Sequence, residues 1–196
     1  MRSMASVLIL AALSCGVSAR AAAQSYWLLA QDDGRTWCGY RDSTAFKSLA
    51  DSLQPLESAR ITYSSDKLIE LTYQVAAESG DWIVIDTYTP SGTAILLRRA
   101  NQWAQSNLQV IEDATIRNGK AGPFRIVRAT TLEGKKAEAA DTADIDFPSV
   151  PIWTNLSAIP FMTVVAEMRS RSIATLCKPV MGSTDQGISS QGGTSQ

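Results

Sequence analysis

Between residues 61 and 97 the large apolar side chains fall on odd-numbered positions: Ile61 and Tyr63, then Ile69, Leu71, Tyr73 and Val75, then Ile83 and Ile85, then Ile95 and Leu97. That alternation is the period of a strand with one buried face. Three polar clusters separate the runs: Ser64-Ser65-Asp66, Glu78-Ser79-Gly80 and Pro90-Ser91-Gly92. Each suits a three-residue loop whose last residue turns left-handed. Loops of that length pair odd positions with odd. Ile61 is then expected opposite Ile69, Tyr73 opposite Ile85, Val75 opposite Ile83, and Ile85 opposite Leu97, with the odd-numbered face as the core.

Elsewhere the pattern is shorter but legible. Residues 25–31 and 36–41 read as strands joined by the turn signal Asp32-Asp33-Gly34. Asp42-Ser43 supplies capping oxygens, and Phe46, Leu49, Ala50 and Leu53 follow at helical spacing until Pro55. A three-turn amphipathic helix over about 44–54 follows, with one stripe to cover. Residues 107–117 and 123–131 flank Asn118-Gly119, a hairpin signal. Residues 133–146 read as a loop. Ser157 is placed to cap a last helix carrying Ile159, Met162, Val165 and Ala166 on one face, with Pro160 tolerated in its first turn. The fold expected is α+β: an amphipathic helix packed on an antiparallel meander sheet, with a further hairpin and a C-terminal helix. It resembles cystatin-like and envelope-lipoprotein folds in topology alone, which assigns no function.

Both ends of the chain lie outside that pattern. Residues 1–23 carry Arg2, a short apolar run and then Ala21-Ala22-Ala23, the layout of a secretory signal with cleavage before Gln24. The alternative is a lipid anchor at Cys15, although Leu13 stands one place from where that signal wants its leucine. No later run reaches the ~18 apolar residues of a transmembrane helix. Residues 24–181 are expected to form one domain, and 182–196 a disordered polar tail. Cleavage would remove Cys15 and leave Cys38 and Cys177, a pair expected to form a disulfide in an oxidising compartment, the periplasm or the exterior.

Composition then narrows the chemistry. The 196 residues include no histidine, three cysteines, 18 Lys+Arg and 19 Asp+Glu. Histidine-based triads and mixed Cys/His zinc sites are excluded, and three thiolates are too few for an all-cysteine zinc site. A net charge of −1 argues against a nucleic-acid binder held by charge. Ser64-Ser65-Asp66-Lys67 matches S-x-x-K without its companion motifs, and falls on an expected hairpin tip rather than a helix start. Asp141, Asp144 and Asp146 lack the glycine and distal glutamate of a calcium loop. Arg125 and Arg128 are expected on opposite faces of their strand, too far apart in direction to form one strip. No catalytic residue, cofactor or metal is expected.

The expected second sheet face carries Trp82, Asp86, Tyr88, Leu96 and Arg98. Its apolar members need a cover, from the C-terminal helix or the Asn118-Gly119 hairpin, or else a partner. Two readings of function remain. One is an exported, non-catalytic module binding an unidentified protein or envelope component through those five residues, with aromatic anchors and charged orienting groups. The other is a histidine-free hydrolase, for example on glycans, using Glu70 and Asp86 as a carboxylate pair. That mechanism needs two carboxyls ~5–9.5 Å apart in a cleft, and the nearby Arg60 and Arg98 would hold both ionised.

Overall fold

The computed structural model describes residues 22–32, 34–137 and 146–180; the proposed signal segment up to residue 21, most of the 133–146 loop and the tail lie outside them, whereas Ala22 and Ala23 of that segment are described. β1 (Ala23–Gln31) and β2 (Thr36–Tyr40) lead into α1 (Ser43–Leu53). β3 (Glu57–Ser64), β4 (Lys67–Ala76), β5 (Trp82–Ser91), β6 (Ala94–Trp103) and β7 (Leu108–Arg117) then form a meander. β8 (Lys120–Ala121) and β9 (Arg125–Thr131) share the far edge of β7, and β10 (Thr175–Pro179) closes the near edge beside β2. All pairings are antiparallel in one ten-stranded sheet. The α+β expectation therefore holds. No helix among the described residues is long and apolar enough to cross a membrane.

The helix forms as its spacing requires. Asp42 Oδ1 accepts the Thr44 N–H at 2.8 Å, and Gln54 ends the helix in the left-handed conformation, one residue before Pro55. Phe46, Leu49 and Ala50 cover Leu29, Cys38 and Tyr40, while Leu53 remains 53% exposed. α1 thus sits on one face of β1–β2. The opposite face, called inner below, holds the main core. Gly39 lies on that side; a Cβ there would come within 2.5 Å of Met168 Sδ and 3.1 Å of Val164 Cγ1, so glycine lets the covering helix pack closely, and a larger residue would displace the Met168 side chain. Cys38 and Cys177 are direct partners across β2 and β10 and form the disulfide.

The expected register is corrected at each of the three loops. Ser64 pairs with Lys67 across a two-residue loop, not a three-residue one, and a bulge leaves Ile69 without a partner. Ile61 therefore faces Leu71 instead of Ile69. The two deviations together preserve parity, so Ile61, Tyr63, Leu71 and Tyr73 are buried as expected. The next loop does not preserve it. The chain passes through Ala77–Asp81 with the Ala77 N–H bonded to Trp82 O, and Tyr73 faces Asp86, Val75 faces Val84, and Leu71 faces Tyr88. In β5 the even positions Val84, Asp86 and Tyr88 are buried, and Ile83 and Ile85 turn to the outer face. At the third loop Ser91 pairs with Ala94 across Gly92-Thr93, with Gly92 at φ 61°, the glycine-first order of a II′ hairpin. That loop restores the odd face in β6, so Leu97, Arg99 and Asn101 point inward.

The inner face of β5 is covered by the chain itself. Residues 146–161 contribute Val150, Leu156, Ile159 and Phe161 to the core. α2 (Met162–Arg171) adds Val164, Val165 and Met168, while Ala166 is exposed. The helix expected from Ser157 starts later. Asn155 caps a single 3-10 turn, Leu156–Ala158, and Ile159 is extended at ψ 129°. A residue before proline is pushed out of the helical region by the ring, so Pro160 separates the two helical pieces.

Candidate functional site

The five expected binding residues divide between the two faces. On the inner face Trp82 is half-buried against the core, and Asp86 and Tyr88 are fully buried. On the outer face Leu96 is 49% exposed and Arg98 is exposed. The physical cause is the odd-with-even pairing of β4 with β5 described above.

The inner members belong to a polar network that the sequence reading missed. Arg99 Nε and Nη2 donate to the two Asp86 oxygens, each at 2.7 Å. Nη2 also donates to the Val150 carbonyl at 3.2 Å, and the guanidinium lies 5.1 Å from the centre of the Phe124 ring. The Tyr88 hydroxyl donates to Asp86 Oδ2 at 3.3 Å and accepts the Trp153 N–H at 3.2 Å. Beside them Asn101 Nδ2 donates to Glu112 Oε2 at 3.0 Å, and Asn101 Oδ1 is buried without a partner. Burial pushes the Tyr88 hydroxyl up, and the Asp86 charge adds to this. Burial also raises Glu112, against the opposing pull of the Asn101 bond. For Arg99, burial works against the charge, but the bonds to Asp86 prevail and its pKa rises. The network is arranged to hold residues 150–153 on the sheet.

The other carboxylate of the proposed hydrolytic pair is elsewhere. Glu70 lies on the outer face, paired with Arg60, while Asp86 points inward to Arg99. Ser64 and Lys67 flank a hairpin loop, as expected of a chance S-x-x-K match. Among the described residues no three histidine, cysteine or acidic side chains converge as metal ligands would. Asp141 and Asp144 lie outside the described residues.

On the outer face the pairing aligns a row across six strands. Ser58 is opposite Gln74, Gln74 opposite Ile85, Ile85 opposite Ala100, Ala100 opposite Ile111, and Ile111 opposite Arg128. Ile83, Ile85 and Ile111 are half-buried, and no described helix packs over β5–β7. Arg98 closes a bidentate pair with Asp113 at 2.8 and 2.9 Å, which holds the Asp113 carboxyl below its ordinary value. A bulge in β9 places Arg125 opposite Asp113 and Arg128 opposite Ile111, so both arginines share the outer face. This corrects the expectation that they diverge, because an inserted residue breaks the alternation on which that expectation rested. At the other end of the row lies a hollow of about 440 Å³ between α1 and the sheet. Ser58 and Gln74 line it with Leu56, and its ionisable lining residues are Asp51 and Glu78.

The outer-face residues Ile83 and Ile85 were missed as surface candidates because alternation alone assigned them to the core, and Ile111 because its strand was given no inward face. Gly92 was the usable signal: read as the first residue of a two-residue loop, it reverses the parity between β5 and β6. No known protein family, curated protein or solved structure matches this chain.

Proposed function

We propose that this protein is an exported, non-catalytic binding module that docks a protein or envelope component on the outer face of β4–β7. The observation carrying this reading is half-buried Ile85 and Ile111 in the row, with half-buried Ile83 on the same face of β5 and exposed Leu96 four residues along β6 from Ala100, and no described helix packed over them. Clustered apolar side chains on a sheet face are what interfaces use. Leu96 and Arg98 from the sequence reading stay in the surface. Trp82, Asp86 and Tyr88 support it from behind by fixing β5 against the core. The Cys38–Cys177 disulfide fits an oxidising compartment. The hydrolytic alternative is disfavoured because Glu70 and Asp86 stand on opposite faces, whereas the mechanism needs both carboxyls on one substrate.

The test compares capture from the native envelope or secreted fraction by the wild-type protein, Ile85→Arg and Leu96→Asp. A partner retained by wild type should be weakened at least ~30-fold by Ile85→Arg, as for an interface anchor worth ~2 kcal/mol. Equal capture by all three forms overturns the reading.

A further inference from the structure

We infer that the outer face docks a second copy of this chain across a two-fold axis. This rests on the reading of that face as a docking surface and names its occupant.

The row across the sheet is polarised. Its centre is apolar, at Ile85, Ala100 and Ile111. Its β9 end carries Arg128, with Arg125 on the same face. No described residue forms a side-chain hydrogen bond or ion pair with the guanidinium of either arginine. Its β3–β4 end runs into the hollow beside α1, which is lined by Asp51 and Glu78 and holds no lysine or arginine in its lining. The described ion pairs include neither acid.

Such a face is complementary to itself in one orientation. Rotating a copy by 180° about an axis that lies between the two faces, parallel to the strands and over the apolar centre, turns its outer face onto the first and sets the basic end of each copy over the acidic end of the other. Ile85, Ala100 and Ile111 then meet their counterparts, which is the isologous arrangement a two-fold requires. Sheets pack face to face in this way at about 10 Å. From β4 to β9 the row spans four strand spacings, about 19 Å at ~4.8 Å each. An arginine from β9 of one copy therefore comes to the hollow beside α1 of the other. There it meets Asp51 and Glu78, with exposed Leu53 and Leu56 to cover its stem.

The deciding experiment is sedimentation of the purified protein, in the form its host processes, from low to high micromolar concentration. The expected result is a monomer–dimer equilibrium. Ile85→Arg should give a monomer that still unfolds in one cooperative transition, at a midpoint lowered no more than a half-buried site allows. Arg128→Glu alone and Asp51→Arg with Glu78→Arg should each weaken the dimer at least ~10-fold, and their combination in one chain should restore it, since opposite charges meet again across the axis. A monomer at every concentration overturns the inference. So does a dimer indifferent to Ile85→Arg, or one that the combined reversal does not restore. Failure of the underlying reading is separable. If the protein is monomeric yet captures a different protein through Ile85, the docking face stands and the self-association falls. If it is monomeric and capture ignores Ile85, both fall.

Discussion

β6 presents the same pair of residue types to two environments. Leu96 and Arg98 point outward; Leu97 and Arg99 point inward. Leu96 is 49% exposed and Leu97 1%. Arg98 pairs with Asp113 with side chains 62% and 40% exposed, Arg99 with Asp86 with side chains 8% and 0% exposed. The two ion pairs have nearly identical bidentate geometry, yet they do different work. The exposed pair is screened by water and is worth at most ~1 kcal/mol. The buried pair adds little net stability over an apolar substitute, but losing one member strands a charge in the core. Geometry alone does not rank interactions; the surrounding medium does.

The largest effect should come from breaking that contrast on the inner side. Asp86→Ala leaves Arg99 buried and unpaired and should cost ~3–5 kcal/mol, measured by denaturant unfolding. Arg98→Ala should cost at most ~1 by the same assay. Comparable losses would mean that the outer face is covered in solution.

Next are the leucines. Leu97→Ala should cost ~2–5 kcal/mol and Leu96→Ala less than ~1. Leu71→Ala, on the inner face of β4, should fall with Leu97, while half-buried Ile85 should lie between the two classes. If Ile85→Ala equals Leu71→Ala, the assignment of faces in β5 is wrong.

The smallest effect sharpens the comparison through pH. Glu112 and Asp113 are neighbours on β7 with opposite shifts: burial raises Glu112, and the Arg98 bond lowers Asp113. A raised carboxyl favours the folded state only while protonated, and that contribution is lost as pH rises through its folded pKa. Glu112→Gln should therefore be more stable than wild type at neutral pH, with the gain vanishing toward the ordinary carboxylate range near pH ~4. Asp113→Asn should run the other way. Its carboxylate stabilises above the ordinary range and loses that effect as pH falls, so the variant is weaker at neutral pH and the gap closes in acid. Unfolding midpoints against pH check both.

The candidate surface was only half legible in the sequence. Alternation correctly set Ile61, Tyr63, Leu71 and Tyr73 inside, because two-residue pairing and a bulge at Ile69 cancelled each other, and Leu97, because the β5–β6 loop reverses the shift made between β4 and β5. It misplaced Ile83 and Ile85, because the β4–β5 connection shifts register by one residue and nothing opposes the shift. β5 carries large residues on both faces, so its own pattern could not reveal the reversal: Val84, Asp86 and Tyr88 read as plausibly outward as Ile83 and Ile85 read inward. Arg99, Asn101 and Glu112 escaped notice because a polar residue in a strand reads as exposed until a buried partner is known.

Local physics suffices for what is local. Helix α1 and its Asp42 cap, the Asn118-Gly119 turn, the strands β1–β7 and β9, the Cys38–Cys177 pair and the α+β class all follow from spacing, turn chemistry and cysteine number in the sequence itself, whereas β10 was not read there. Which face of β5 looks inward, which arginine of Arg98-Arg99 is buried, and what lies over Tyr88 were decided only in the tertiary structure. Register is a sum over successive loops, each of which can add or remove one residue, and a single residue exchanges the two faces of everything that follows. Residues 146–161, distant in sequence and without strand or long-helix periodicity, then covered the face that this sum turned inward, leaving the other to the outside.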